Sequence, residues 1–153
     1  MITGRPCTEA DLAFLYEVYA STREEEMTVV PWDDQQKEAF LRMQFHAQHT
    51  YYHDQFPGAS YSIIEANGVP AGRLYINRSE DEILVIDIAL VPWYRRRGIG
   101  TGLLREILRE GAEGSKPVRI HVEKFNPALR LYERLGFLPV GDNGVYLLME
   151  CKT

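Results

Sequence analysis

The chain has 153 residues, a length that suits a single domain with a real hydrophobic core. Hydrophobic residues make up 45% of it and charged residues 25%, the balance of an ordinary water-soluble globular protein. A net charge of −5 argues against general nucleic-acid binding, which needs a broad basic face.

Met1–Cys7 reads as a short strand or lead-in, and Arg5, Glu9 and Asp11 stand where a signal peptide would be apolar. Thr8 and Asp11 then resemble a capping box, with Asp in place of the preferred Glu. Leu12, Leu15, Tyr16 and Tyr19 follow at helical spacing. Glu24, Glu25 and Glu26 form an acidic patch expected in a loop. Pro31-Trp32-Asp33 and Gln36 open a second helix running to about His53, and Phe56-Pro57-Gly58 breaks it. Tyr61–Ala66 and Val69–Asn77 read as strands joined by Asn67-Gly68, a strong hairpin turn. A third strand covers Ile83–Val91. Leu103, Leu104, Ile107 and Leu108 stripe the next helix, which Gly111 and Gly114 are expected to end. Val118–Val122 is a strand. Asn126 is placed to cap a helix with Pro127 at its first position, and Ala128, Leu131, Tyr132 and Leu135 stripe it up to Gly136. Strands Phe137–Val140 and Val145–Glu150 flank Asp142-Asn143-Gly144. The order β-α-α-β-β-β-α-β-α-β-β implies an α/β (α+β) fold, a mixed central sheet with helices on both faces. No repeat, low-complexity tract or linker divides it, so residues 1–153 are expected to form one domain. Cys7 and Cys151 lie at opposite ends without metal-ligand or redox spacing, and read as reduced thiols of a cytoplasmic protein. No apolar run is long enough to span a membrane.

The segment Val91-Pro92-Trp93-Tyr94-Arg95-Arg96-Arg97-Gly98-Ile99-Gly100-Thr101-Gly102 carries the strongest functional signal. It joins a buried strand to a helix start through arginines and glycines. Glycine lets backbone approach a ligand closely, and free N–H groups at a helix start attract anions. Such a turn is built to hold phosphate. A dinucleotide-binding fingerprint would need glycine at its sixth position, where Leu103 stands, and the Gly-Lys-Ser/Thr ending of a P-loop is absent. A tight turn with incidental arginines is the bland alternative.

A second motif tips the balance. Arg95-Arg96-Arg97-Gly98-Ile99-Gly100, preceded by Leu90-Val91-Pro92, resembles the cofactor signature of the GNAT superfamily of acetyl-CoA-dependent N-acetyltransferases. Asn126-Pro127-Ala128-Leu129-Arg130-Leu131-Tyr132-Glu133-Arg134-Leu135-Gly136-Phe137 resembles that family's later motif, on the matching element. The resemblance implies that backbone N–H groups of Arg96, Arg97, Gly98, Ile99, Gly100 and Thr101 bind the pyrophosphate of acetyl-CoA. It implies that Ile88, Ala89 and Leu90 pair with the pantetheine arm, one N–H there polarising the thioester carbonyl. It places Tyr132 as general acid for the departing thiolate, whose pKa is about 8.5 if it behaves as a simple thiol. On the apolar stripe alone, Tyr132 would read as a core tyrosine. Asn126 matches a cofactor-contacting asparagine, although it stands six residues before Tyr132, one fewer than the commonest family spacing, and it is also a good helix cap.

Alkyl ammonium groups must lose a proton before attack. Three side chains are candidate bases: His121, on the strand before Asn126; Asp87, the one charge inside an apolar strand; and Glu82, at that strand's start. A water chain is the alternative to all three. Acidic and aromatic groups at Glu24, Glu25, Glu26, Trp32, Tyr51 and Tyr52 suit a cationic acceptor. His46, His49 and His53 share a helix face, but without a partner at matching spacing they read as a solvated or pocket-lining stripe, and no metal is expected. Neither cysteine lies in the motifs, so no acyl-enzyme is implied. The resulting expectation is a cytoplasmic N-acetyltransferase moving acetyl from acetyl-CoA to a small-molecule or protein amine in a ternary complex, without nucleic-acid or membrane partners and with homodimerisation left open. The alternatives are a CoA-binding module without turnover and an enzyme using a longer acyl-CoA.

Overall fold

Local signals set most of the elements. A computed structural model describes residues 1–124 and 126–152. After β1 (Ile2–Pro6), the backbone N–H of Thr8 donates to Asp11 Oδ2 at 2.8 Å, closing the capping box ahead of α1 (Leu12–Thr22). The acidic run expected in a loop instead forms a short helix, α2 (Glu24–Thr28). Its three glutamates occupy the first turn, where the helix dipole favours negative charge. Asp33 caps α3 (Asp34–Gln55) by accepting from Gln36 N at 2.8 Å. Strands β2 (Ser60–Ala66) and β3 (Val69–Arg78) meet at Asn67 (φ 51°) and Gly68 (φ 81°), the paired left-handed residues of a type I′ turn.

Next come β4 (Ile83–Leu90), α4 (Ile99–Glu113) and β5 (Val118–Glu123). Gly111, expected to end α4, lies buried inside it; it follows Ile107 by four residues and so shares the core-facing stripe. Then come α5 (Leu129–Arg134), β6 (Leu138–Asp142) and β7 (Tyr146–Cys151). The last helix starts later than a cap at Asn126 would place it. Asn126 Oδ1 accepts from Ala128 N at 2.8 Å and its carbonyl from Leu129 N at 3.0 Å, so the asparagine caps a turn that feeds the helix. Both cysteines are free.

The sheet runs β1-β2-β3-β4-β5-β7-β6, and every pairing is antiparallel except β4 with β5. Helices cover both faces. On one, Val85, Leu104, Ile107, Val118, Ile120, Tyr132 and Phe137 form the core with α4 and α5. On the other, Leu15, Tyr19, Phe45, Ile63 and Tyr75 pack α1 and α3 down. Each fully buried aliphatic side chain contributes roughly 1.5–3 kcal/mol.

Two features of β4 shape the centre of the molecule. It pairs with β3 as far as Gly72 opposite Leu90, but with β5 only at Ile83–Val118, Leu84–Arg119 and Val85–Ile120. Past Val85 the sheet opens, and among the described residues the β5-facing edge of β4 has no strand partner there. A bulge at Ile86 sets Tyr75 opposite Asp87 but Ile76 opposite Val85. Strict alternation from Ile83 and Val85 would aim Asp87 into the core beneath α4. The extra residue turns it to the α1/α3 face instead, beside Arg73 and Tyr75.

Candidate active site

The signature segment leaves the open end of β4 and turns sharply into α4. Val91 N donates to the Ala71 carbonyl at 2.9 Å, and Pro92–Tyr94 make one 3₁₀ turn. Arg95 Nε donates to the Leu90 carbonyl at 2.9 Å and its Nη2 to Ser21 Oγ at 3.1 Å, fastening the turn to the end of α1. Arg96 (φ 62°) and Gly98 (φ 80°) are both left-handed, and this reversal makes Gly98 the N-cap of α4. Gly98 has no side chain with which to cap that helix, so the N–H groups of its first turn receive no cap from the N-cap residue. A Cβ built on Gly98 or Gly100 meets no protein atom within 4 Å. The Arg97 guanidinium lies 5.4 Å from the centroid of the Tyr94 ring, and Arg96 and Arg97 are exposed. Ile88, Ala89 and Leu90 lie on the unpaired edge of β4, leading directly to this turn.

Tyr132 comes from α5 and is 5% exposed. Burial, with a smaller contribution from the negative charge of Asp87, pushes its phenol up to about 12, so it stays protonated. Asp87 forms an ion pair with Arg73, which is only 3% exposed and is held by Gln48 Oε1 at 2.9 Å. The charge of Asp87 reaches Tyr52 on α3, Tyr75 on β3 and Tyr146 on β7 as well as Tyr132. Burial is the largest cause of the raised proton affinity of all four phenols, and it puts Tyr75 at about 12.

The other candidates lie apart from this cluster or on its margin. His121 is exposed on β5, opposite Leu148, on the face opposite to buried Ile120 and Val122. Glu82 precedes β4 and faces Arg119 at 3.8 Å. Leu90 follows it by eight positions, roughly 26 Å along a strand, so it sits at the far end from the signature turn. Asn126 uses its carbonyl groups on its own turn.

On the acceptor side, Glu24, Glu25 and Glu26 are exposed, and Trp32 meets Phe40 edge-on at 5.3 Å. The His49 and His53 rings lie 4.3 Å apart, tilted by 43°, and His53 lies parallel to Tyr61 at 4.1 Å. They line a pocket of about 420 Å³ with Cys7, Glu9, Leu12 and Tyr75, away from the signature turn. Burial lowers the proton affinity of His49. Among the described residues no three His, Cys, Asp or Glu side chains converge as a metal site would require.

Sequence alone does not single out Arg73, Gln48 or Tyr146. One signal is present in it: Arg73 is the only charge in Val69–Ile76, as Asp87 is in Ile83–Val91. Pairing them requires the hairpin register and the bulge.

The family model of the acetyltransferase (GNAT) family matches residues 14–137. The chain belongs to the GNAT acetyltransferase family. It is an acyl-CoA-dependent N-acetyltransferase. A Bacillus subtilis (strain 168) protein, provisionally assigned as a [ribosomal protein bS18]-alanine N-acetyltransferase, is 30% identical over 116 residues, 68% of this chain and 76% of that one. Among solved structures, the PaiA N-acetyltransferase from Thermoplasma acidophilum in complex with coenzyme A superposes with a TM-score of 0.73 at 19% identity, covering 100% of this chain and 99% of that one. The ribosomal-protein-S18-alanine N-acetyltransferase of Escherichia coli gives 0.66 at 21% identity, covering 99% and 94%. At these identities the likeness to the solved structures concerns the fold, and in it the α/β architecture expected from the element order is met.

Proposed function

We propose that this family member transfers acetyl directly from acetyl-CoA to a primary amine in a ternary complex, within a single catalytic domain spanning residues 1–153. The observation that carries the reading is the gap between β4 and β5, with the uncapped start of α4 at its mouth and Tyr132 and Asp87 within electrostatic reach of each other. The donor's pyrophosphate lies against the N–H groups of Arg96 to Thr101, where dipole and glycine geometry favour an anion. Its pantetheine arm runs along the free edge at Ile88, Ala89 and Leu90, and Asn126 borders it. The helices α4 and α5 flank the donor; the amine enters from the α1/α3 face.

Chemistry then needs one acid and one base. Asp87 takes a proton from the ammonium. The freed lone pair forms the C–N bond, and the C–S bond breaks as Tyr132 gives its proton to sulfur. The proton shed by the new amide nitrogen returns the tyrosine to its starting state through solvent. Among the three candidate bases, Asp87 is favoured because the bulge turns it to the α1/α3 face immediately before Ile88, at the open part of β4; Glu82 is engaged with Arg119 at the wrong end of β4.

For the acceptor, the Bacillus subtilis relative favours a protein α-amine, and with it a cytoplasmic location. Among the described residues no helix is long and apolar enough to cross a membrane. The test is a panel of peptides with free α-amines, lysine peptides, polyamines and amino acids, read by released CoA thiol. Turnover confined to the α-amine peptides supports the acceptor class. Turnover with polyamines alone overturns it, and no turnover with any amine overturns the reaction.

A further inference from the structure

The ion pair between Arg73 and Asp87 is oddly placed for a structural device. Arg73 is sealed, with 4% of its side chain exposed, while the carboxylate side chain keeps 21%. Burying a guanidinium is costly, and a well-packed apolar residue usually serves stability as well or better. Here the cation reaches from β3 to Gln48 on α3 and to Asp87 on β4, and its guanidinium carbon lies 5.1 Å from the Tyr75 ring centre. It therefore ties a helix of the acceptor face to the one strand residue that the bulge turns toward that face.

We propose that Arg73 is a positioning residue for acetyl transfer: anchored by Gln48, it binds one oxygen of Asp87 and leaves the other directed at the acceptor ammonium. The inference rests on the reading of Asp87 as base. Asp87 contributes its Oδ2 to the guanidinium, and its side chain keeps 21% of its surface exposed, which leaves the carboxylate open to an amine. The groups around the carboxylate are Arg73 and Tyr75 from β3, Tyr52 from α3, Tyr132 from α5 and Tyr146 from β7. The four phenols hold their protons tightly, so Arg73 supplies the fixed charge in that ring. Cys7 and His49 also feel the Arg73 charge. The arrangement fixes the position of the carboxylate, and a misplacement of about 1 Å can cost roughly 10²-fold in rate.

The full chain is assayed as Arg73→Met, Arg73→Lys, Gln48→Leu and Asp87→Asn, with the best amine of the panel and with melting temperature alongside. In Arg73→Met, kcat/KM for the amine should fall roughly 10–100-fold while KM for acetyl-CoA stays unchanged. The acid limb of its pH–rate profile should move to higher pH, since a carboxylate that loses a neighbouring cation binds its proton more tightly. Arg73→Lys should restore the limb and part of the rate. In the Asp87→Asn background, Arg73→Met should cost little more. A folded Arg73→Met enzyme with wild-type kcat/KM and pH profile overturns the proposal, as do losses that multiply in the double variant. If Arg73→Met does not fold, Gln48→Leu keeps the charge but frees the side chain: a lower amine kcat/KM with an unmoved limb supports positioning, and wild-type kinetics overturns it. An Asp87→Asn enzyme that keeps the wild-type rate and pH profile removes the base reading itself, whatever Arg73 does.

Discussion

The backbone N–H of Phe137 donates to the Tyr132 carbonyl at 3.0 Å, and the two rings meet edge-on with centroids 6.1 Å apart. Gly136, at φ 102°, makes the companion bond to Glu133 at 3.0 Å, which completes a Schellman ending of α5 with its customary hydrophobic contact. The proposed acid is thus fixed from two sides, through its main chain and its ring.

Because the ring alone carries that packing, Tyr132→Phe should fold like the wild type. Its kcat should drop by about 10²–10⁴-fold, the usual effect of losing a positioned acid, with acetyl-CoA affinity little changed. Rapid-quench measurement of the chemical step decides the matter. An unaltered rate for that step returns Tyr132 to the core.

The two signature glycines should behave differently. Gly98 needs its left-handed φ of 80°, so Gly98→Ala should destabilise the protein by about 1–2 kcal/mol. Gly100 is helical with open space above it, so Gly100→Ala should leave the melting temperature unchanged or raised yet weaken acetyl-CoA. Donor present at about 100 times its Kd adds about 2.7 kcal/mol to the wild type. Thermal shifts with and without acetyl-CoA give both quantities, and full stabilisation of Gly100→Ala by the donor would show that nothing approaches this backbone.

Between the bases, Asp87→Asn should lower kcat by about 10²-fold or more, whereas exposed His121→Ala should keep both rate and pH profile. Steady-state kinetics from pH 5 to 9, normalised to folded protein, separates them. The reverse pattern assigns the proton to His121; two unaffected variants assign it to water.

Asp11 gives a pH dependence of stability. Hydrogen bonds from Arg5, then from the Thr8 N–H, hold its carboxyl at about 2. The folded value lies below the unfolded one of about 3.9, so its stabilisation is complete above that value and is lost as pH falls toward 2. Urea denaturation at pH 5 and pH 3 should show a smaller loss of stability in Asp11→Asn than in the wild type. Equal losses would mean that the Arg5 pair does not act through protonation.

Much of this molecule is legible in one dimension because the signals are local. A run of glycines and arginines between an apolar strand and an amphipathic helix marks the anion-binding turn, Asn67-Gly68 marks a hairpin, and the spacing around Tyr132 places it on a helix. Short-range patterns of this kind report periodicity, capping and turn chemistry, which depend on neighbours within a few residues. The acidic run at 24–26 misleads because a glutamate-rich segment suits a first helical turn as well as a loop, and packing of Met27 decides between them. What only the tertiary structure decided is where β4 parts from β5 and where it bulges. Both depend on hydrogen bonds between strands far apart in the chain, and a shift of one residue reverses every side chain beyond it. That single register change turns Asp87 from a charge stranded in a core strand into the partner of Arg73 at the open face of the sheet.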